Sequence, residues 1–123
     1  MKPPMLTQDE LHMVKESILI PLMLYYIHSD IQKIHQAGLR LDLLLANGLE
    51  KVQDDILSEH YTVKQQLKER GIKVISQRQT DSGIEAEYLC RGYQHRMALL
   101  WDIVNTETLK KVSHYSGFQL TSG

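Results

Sequence analysis

The chain has 123 residues, 42% of them hydrophobic and 24% charged, and a formal net charge of −1. That length and balance fit one globular domain with a core of its own and exclude wholesale disorder; the charge removes the simple case for a basic nucleic-acid binder. The single cysteine, Cys90, excludes an internal disulfide and a multi-cysteine zinc site, and points to a reducing, cytoplasmic setting.

The N-terminus, Met1-Lys-Pro-Pro-Met5, leads into polar residues with no secretion-signal pattern. Thr7-Gln-Asp-Glu10 then fits a capping box, in which the Thr7 hydroxyl and the Glu10 carboxylate each take an amide proton that the first helical turn leaves free. Apolar residues follow at helical spacing as far as Ile34, and Gly38 suits a helix end. Helix one is therefore expected from about Gln8 to Ala37, roughly 45 Å long. Pro21 lacks an amide proton, so a kink or break is expected over residues 17–21.

Inside this helix, Ile18-Leu-Ile-Pro-Leu-Met-Leu-Tyr-Tyr-Ile27 is apolar at every position. A surface helix needs one apolar stripe, not an apolar circumference. The run is about half the length a bilayer requires, so no membrane span is expected. The expectation is a homodimer, with Ile18, Leu22, Leu24, Tyr25, Ile27 and Ile31 forming the dimer interface.

Helix two is expected from about Leu41 to Gly71 on the stripe Leu45, Leu49, Val52, Ile56, Val63 and Leu67, antiparallel to helix one across a short connection. The period then changes to two. Residues 72–79 and 84–90 alternate as strands, and Thr80-Asp-Ser-Gly83 is turn chemistry with Gly83 free to take positive φ, so a β-hairpin is expected. A last helix is expected after Gly92 on Met97, Leu100, Trp101, Val104 and Val112, with an interruption at Asn105-Thr106. The fold class is mainly α, α+β: a long antiparallel helical hairpin, a β-hairpin and a C-terminal helix. Residues 1–117 form one domain and 118–123 a tail.

Charge is segregated along helix two. Residues 41–61 sum to −4 and residues 62–78 to +4. Matching to the helix dipole accounts for this without a ligand. The alternative is a winged-helix-like DNA-binding regulator. In it a break near Glu59-Tyr61 frees a short helix, Lys64, Gln65, Lys68 and Arg70 meet DNA, and Arg78 serves as a wing. Glu50 with Asp54, and Lys64 with Lys68, are like-charge pairs four residues apart, each costing a few tenths of a kcal/mol unless something offsets it.

Catalytic signatures are weak. His28 and His35 share a helix face but lack a third ligand, so no metal site is expected. Cys90 with His95 is a conceivable thiolate pair, yet Cys90 shares a strand face with Ala86 and Tyr88, a core pattern. Phosphate loops, dinucleotide glycine signatures and zinc-protease motifs are absent from the sequence. The expected role is a non-enzymatic interaction or regulatory protein without cofactors, with a protein partner or DNA as its target.

Overall fold

A computed structural model of the chain describes residues 5–120. The order is α1 (Gln8–Gln36), α2 (Asp42–Glu69), β1 (Ile72–Gln79), β2 (Gly83–Cys90), β3 (Tyr93–Leu100) and α3 (Trp101–Ser116). The strands form an antiparallel meander in the order β1-β2-β3. The fold is thus α+β and mainly helical, as the periodicities indicate. Among the described residues no helix is long and apolar enough to cross a membrane.

The capping box forms as the sequence requires. Glu10 N donates to Thr7 Oγ1 (3.1 Å) and Thr7 N donates to Glu10 Oε1 (3.0 Å). Pro21 lies inside α1 without dividing it, against the expectation of a possible break. The proline is exposed, so its missing hydrogen bond falls on the solvent side, where water can solvate the free Ser17 carbonyl. α2 likewise runs unbroken through Glu59-Tyr61. The separate short helix of the winged-helix reading does not exist; Val63 and Leu67 continue the buried stripe of Val52 and Ile56.

The main departure is at residues 93–100, a third strand rather than the start of the last helix. Arg91 and Gly92, at φ 50° and 89°, supply the two successive positive-φ residues of a tight hairpin turn. Arg91 is held in this unfavourable region by its amide, which donates to Gly71 O (2.8 Å), and by its guanidinium, which donates to Glu10 Oε2 (3.0 Å). α3 begins one residue later, at Trp101, whose indole N–H donates to Thr80 O (3.0 Å), and it runs through Asn105-Thr106 without interruption. Gly83 does not take positive φ. Its role is close approach: a Cβ there would sit 1.9 Å from Leu99 O on β3.

Within the single chain α1 packs chiefly against α2. Ile18, Leu19, Ile20, Met23 and Ile27 are all buried within the single chain, in one core with Ile56, Val63, Leu67, Ile84, Ala86, Tyr88, Leu99 and Val104. At about 1.5–3 kcal/mol per large apolar side chain, those five contribute on the order of 10 kcal/mol to folding. The premise that a second molecule must cover the run is overturned: α2, the sheet and α3 cover most of it, leaving Pro21 and Tyr25 exposed.

Two buried carboxylates of α1 are tied to other elements. Glu10 binds Arg91 and lies 3.9 Å from Arg70. The Arg91 hydrogen bond, with the Thr7 amide, holds the Glu10 carboxyl down at about 2. Glu16 accepts from Lys111 Nζ of α3 (2.6 Å), which also donates to Glu59 of α2 (2.6 Å). Burial pulls the Lys111 ammonium down, but its two carboxylate partners outweigh this and raise its pKa. Tyr115 Oη donates to Glu59 (2.7 Å), and that bond pushes the phenol up to about 12. These groups clamp α3 across both long helices.

Gly117, at φ 80°, ends α3, and Phe118–Leu120 is exposed and irregular. The rest of the expected tail, 121–123, and the segment 1–4 lie outside the described residues.

Candidate functional site

The chain turns back after α2 at Gly71, so β1 runs beside the last turns of that helix. Between them lies a groove of about 650 Å³. Its walls are Ser17 and Pro21 of α1, His60, Lys64, Leu67 and Lys68 of α2, and Ile72, Lys73, Val74 and Gln77 of β1. The floor is apolar where Leu67 and Ile72 belong to the core. The rim is cationic: Lys64, Lys68 and Lys73 all line the groove, and among the described residues no carboxylate does.

Among the described residues no ion pair involves these three lysines, and every other described ion pair of a lysine or arginine lies elsewhere. Beside them, burial and then the Lys64 charge lower the pKa of His60. His60 is therefore neutral near pH 7, and its Nδ1 is buried without a hydrogen-bond partner. The groove thus offers positive charge, a neutral imidazole and a short apolar floor, a combination suited to holding carboxylates.

The residues of the DNA reading separate into two groups. Lys64 and Lys68 share this rim. Gln65 is occupied locally, donating to Glu69 (3.3 Å), Arg70 leans toward Glu10, and Arg78 is paired across the sheet with Glu85 (2.6 Å). Lys73 and His60 complete the groove. Their part was hidden in the sequence, because only the return of β1 along α2 brings them to Lys64 and Lys68. The charge change near residue 62 was the one visible signal.

The proposed dimer residues of α1 are redistributed. Ile18, Ile27 and Ile31 lie in the core of the one chain, because α2 and the other elements already pack on them; they are not available as an interface. Leu22 and Leu24 are half-buried against the same core. Tyr25 alone of the six is open, at 67% exposure.

The outward face of α2 carries a regular pattern. Glu50, Asp54, Leu57, Tyr61, Lys64 and Lys68 step by four, three, four, three and four, which keeps them on one stripe of a 3.6-residue helix, and all six are exposed. Among the described residues neither Glu50 nor Asp54 has an ion-pair partner. The stripe is acidic at one end, apolar in the middle at Leu57 and Tyr61, and basic at the end bordering the groove.

Other chemistry-bearing residues are structural in their contacts. Cys90 is a free, buried thiol. Its strand partner across the turn is Tyr93, whereas His95 pairs with Tyr88 and stacks on its ring at 5.4 Å. His28 contacts Gln32 (3.2 Å), and no group of three metal-ligating side chains forms among the described residues.

Neither a curated protein nor a solved structure matches the chain. A family model described as YhjD protein matches residues 5–119, nearly the whole length. The chain therefore belongs to the YhjD protein family.

Proposed function

We propose that this protein is a non-catalytic interaction module that binds an acidic protein partner at the lysine-rimmed groove between α2 and β1. The observation that carries this reading is the set Lys64, Lys68 and Lys73 around one cavity, with no ion pair to them and no carboxylate in the lining among the described residues. Three like charges gathered in one place repel each other, so an acidic ligand gains from relieving that repulsion as well as from direct pairing. The apolar floor at Leu67 and Ile72 adds a contact that a free ion would not use.

Duplex DNA fits this surface less well. The basic end of α2 continues directly into its acidic end, and a duplex laid along the helix would bring phosphates onto Glu50 and Asp54. The reading is non-enzymatic because the one thiol is buried and, among the described residues, His60 Nδ1 has no hydrogen-bond partner to activate.

Titration calorimetry with a polyglutamate peptide tests the proposal. Binding is expected at low salt, weakening as ionic strength rises. The pair Lys68→Glu with Lys73→Glu should lower affinity about tenfold or more, equal to about 1.4 kcal/mol. Absence of binding by the wild-type chain at low salt overturns it. Tighter binding to mixed duplex DNA than to polyglutamate replaces it with the nucleic-acid reading.

A further inference from the structure

We infer that the acidic partner is a second copy of this chain, docked antiparallel on the outer face of α2 about a twofold axis at the level of Glu59. This rests on the acidic-partner reading and names its occupant.

The inference comes from the order of the exposed stripe. Its steps of four, three, four, three and four read the same in both directions, and residue 59 is the midpoint of Glu50 and Lys68, of Asp54 and Lys64, and of Leu57 and Tyr61. When two identical helices pair antiparallel about a twofold axis, each residue faces the one equally far on the other side of that midpoint. Glu50 then faces Lys68 of the second copy, Asp54 faces its Lys64, and Leu57 faces its Tyr61. The symmetry repeats each contact, giving four opposite-charge pairings around two Leu–Tyr contacts. Glu50 to Lys68 spans about 27 Å of helix, roughly five turns.

Four features of the single chain fit this occupant. Leu57 and Tyr61 are exposed, at 37% and 66%, at the centre of the stripe, where an interface places its apolar contacts. Glu50, Asp54, Lys64 and Lys68 are exposed and make no ion pair among the described residues. The like-charge neighbours Glu50 with Asp54 and Lys64 with Lys68, unfavourable within one helix, become two-residue blocks of opposite sign across the axis. α2 is continuous through the midpoint, so the stripe is uninterrupted. The second copy's Glu50 and Asp54 supply the carboxylates that the lysine rim lacks.

Sedimentation of charge-exchanged chains provides the test. Glu50→Lys with Asp54→Lys makes the stripe basic throughout; Lys64→Glu with Lys68→Glu makes it acidic throughout. Each double variant alone should lose self-association, its dissociation constant rising at least about 100-fold, because like charges then face across the axis. Mixed one to one, the two variants should form a heterodimer. All four substitutions in one chain should restore the homodimer. Circular dichroism checks that each variant keeps its helix content, as expected for exposed positions. A wild-type chain that stays at its single-chain mass overturns the pairing, even if polyglutamate binds the groove and the acidic-partner reading stands. A wild-type dimer whose two double variants fail to associate on mixing also overturns it. If the quadruple variant is monomeric and less helical, the charges serve the helix dipole alone and the inference falls.

Discussion

Replacing Lys111 with methionine isolates the clamp that fastens α3 to the helical hairpin. Lys111 is only 11% exposed in its side chain and donates to two carboxylates at 2.6 Å each; Glu16, one of them, is 5% exposed. Methionine keeps the length and removes the charge. Glu16 is then left in the interior with the His12 ring 3.5 Å away, and Glu59 keeps the Tyr115 hydroxyl. Removing one member of a buried pair costs about 3–5 kcal/mol, because the other charge stays desolvated. Glu59 is partly open to solvent, so the lower figure, about 3 kcal/mol, is the expected loss. At about 2.1 cal/mol/K per residue for a chain of 123 residues, that lowers Tm by about 10–13 °C.

The pH dependence has a definite sign. Burial opposes ionisation of Glu59, but the Lys111 and Tyr115 hydrogen bonds outweigh it and depress its pKa below 4.5. Its contribution is therefore present above 4.5 and lost as pH falls through the folded value. Lys111, raised above 10.5, contributes fully below 10.5 and less as pH rises through its folded value. The gap between wild type and Lys111→Met should be widest near neutrality and close toward both acid and strong alkali. Thermal melts followed by circular dichroism from about pH 2.5 to about pH 11.5 span both limbs and measure it. Adding Glu16→Gln should recover half the loss or more, since no buried charge then remains at that position. A variant melting within about 3 °C of wild type at pH 7, or a deficit unchanged at about pH 2.5, refutes the reasoning.

Three further outcomes are expected. Glu10→Gln should cost about 1–2 kcal/mol at pH 7, moderated because Arg91 and Arg70 are both partly solvated; as the Glu10 carboxyl is held at about 2, the difference should vanish between 4.5 and 2, and urea titrations across that range measure it. Gly83→Ala places a Cβ 1.9 Å from Leu99 O, so β3 must shift; a loss of more than about 3 kcal/mol in denaturant unfolding is expected, and a neutral result would contradict the close approach. The Cys90 thiol, fully buried, should react with an aromatic disulfide reagent only as the chain unfolds; native-state reaction at the rate of a free thiol would contradict that burial.

The sequence carried the helical hairpin and the first two strands because their signals are local. Thr7 with Glu10, the glycines at 38 and 71, and the alternation of residues 72–79 and 84–90 each mark an element without outside help. The third strand was hidden because Met97, Leu100, Trp101 and Val104 also satisfy a helical period. The signal that decides it is Arg91-Gly92 in a two-residue turn, and an arginine at positive φ is stabilised by Gly71 and Glu10, which are remote in sequence. The larger error, a second molecule over Ile18–Ile27, came from underrating how far α2 and the rest of the one core cover α1. The groove was half legible. Lys64 and Lys68 stood out through the charge change along one helix, while Lys73 and His60 join them only once β1 folds back. The palindromic stripe on α2 was written in the sequence, but its meaning depends on knowing that the helix is unbroken at Glu59 and that all six residues face outward.

Sedimentation equilibrium of the wild-type chain, over a concentration series at low and high salt, tests the self-complementary face of α2 most directly. The expected result is a weight-average mass rising from the 14.2 kDa of one chain toward twice that value, with the rise moved to higher concentration by salt. A mass of one chain at every concentration and both salt levels would contradict it.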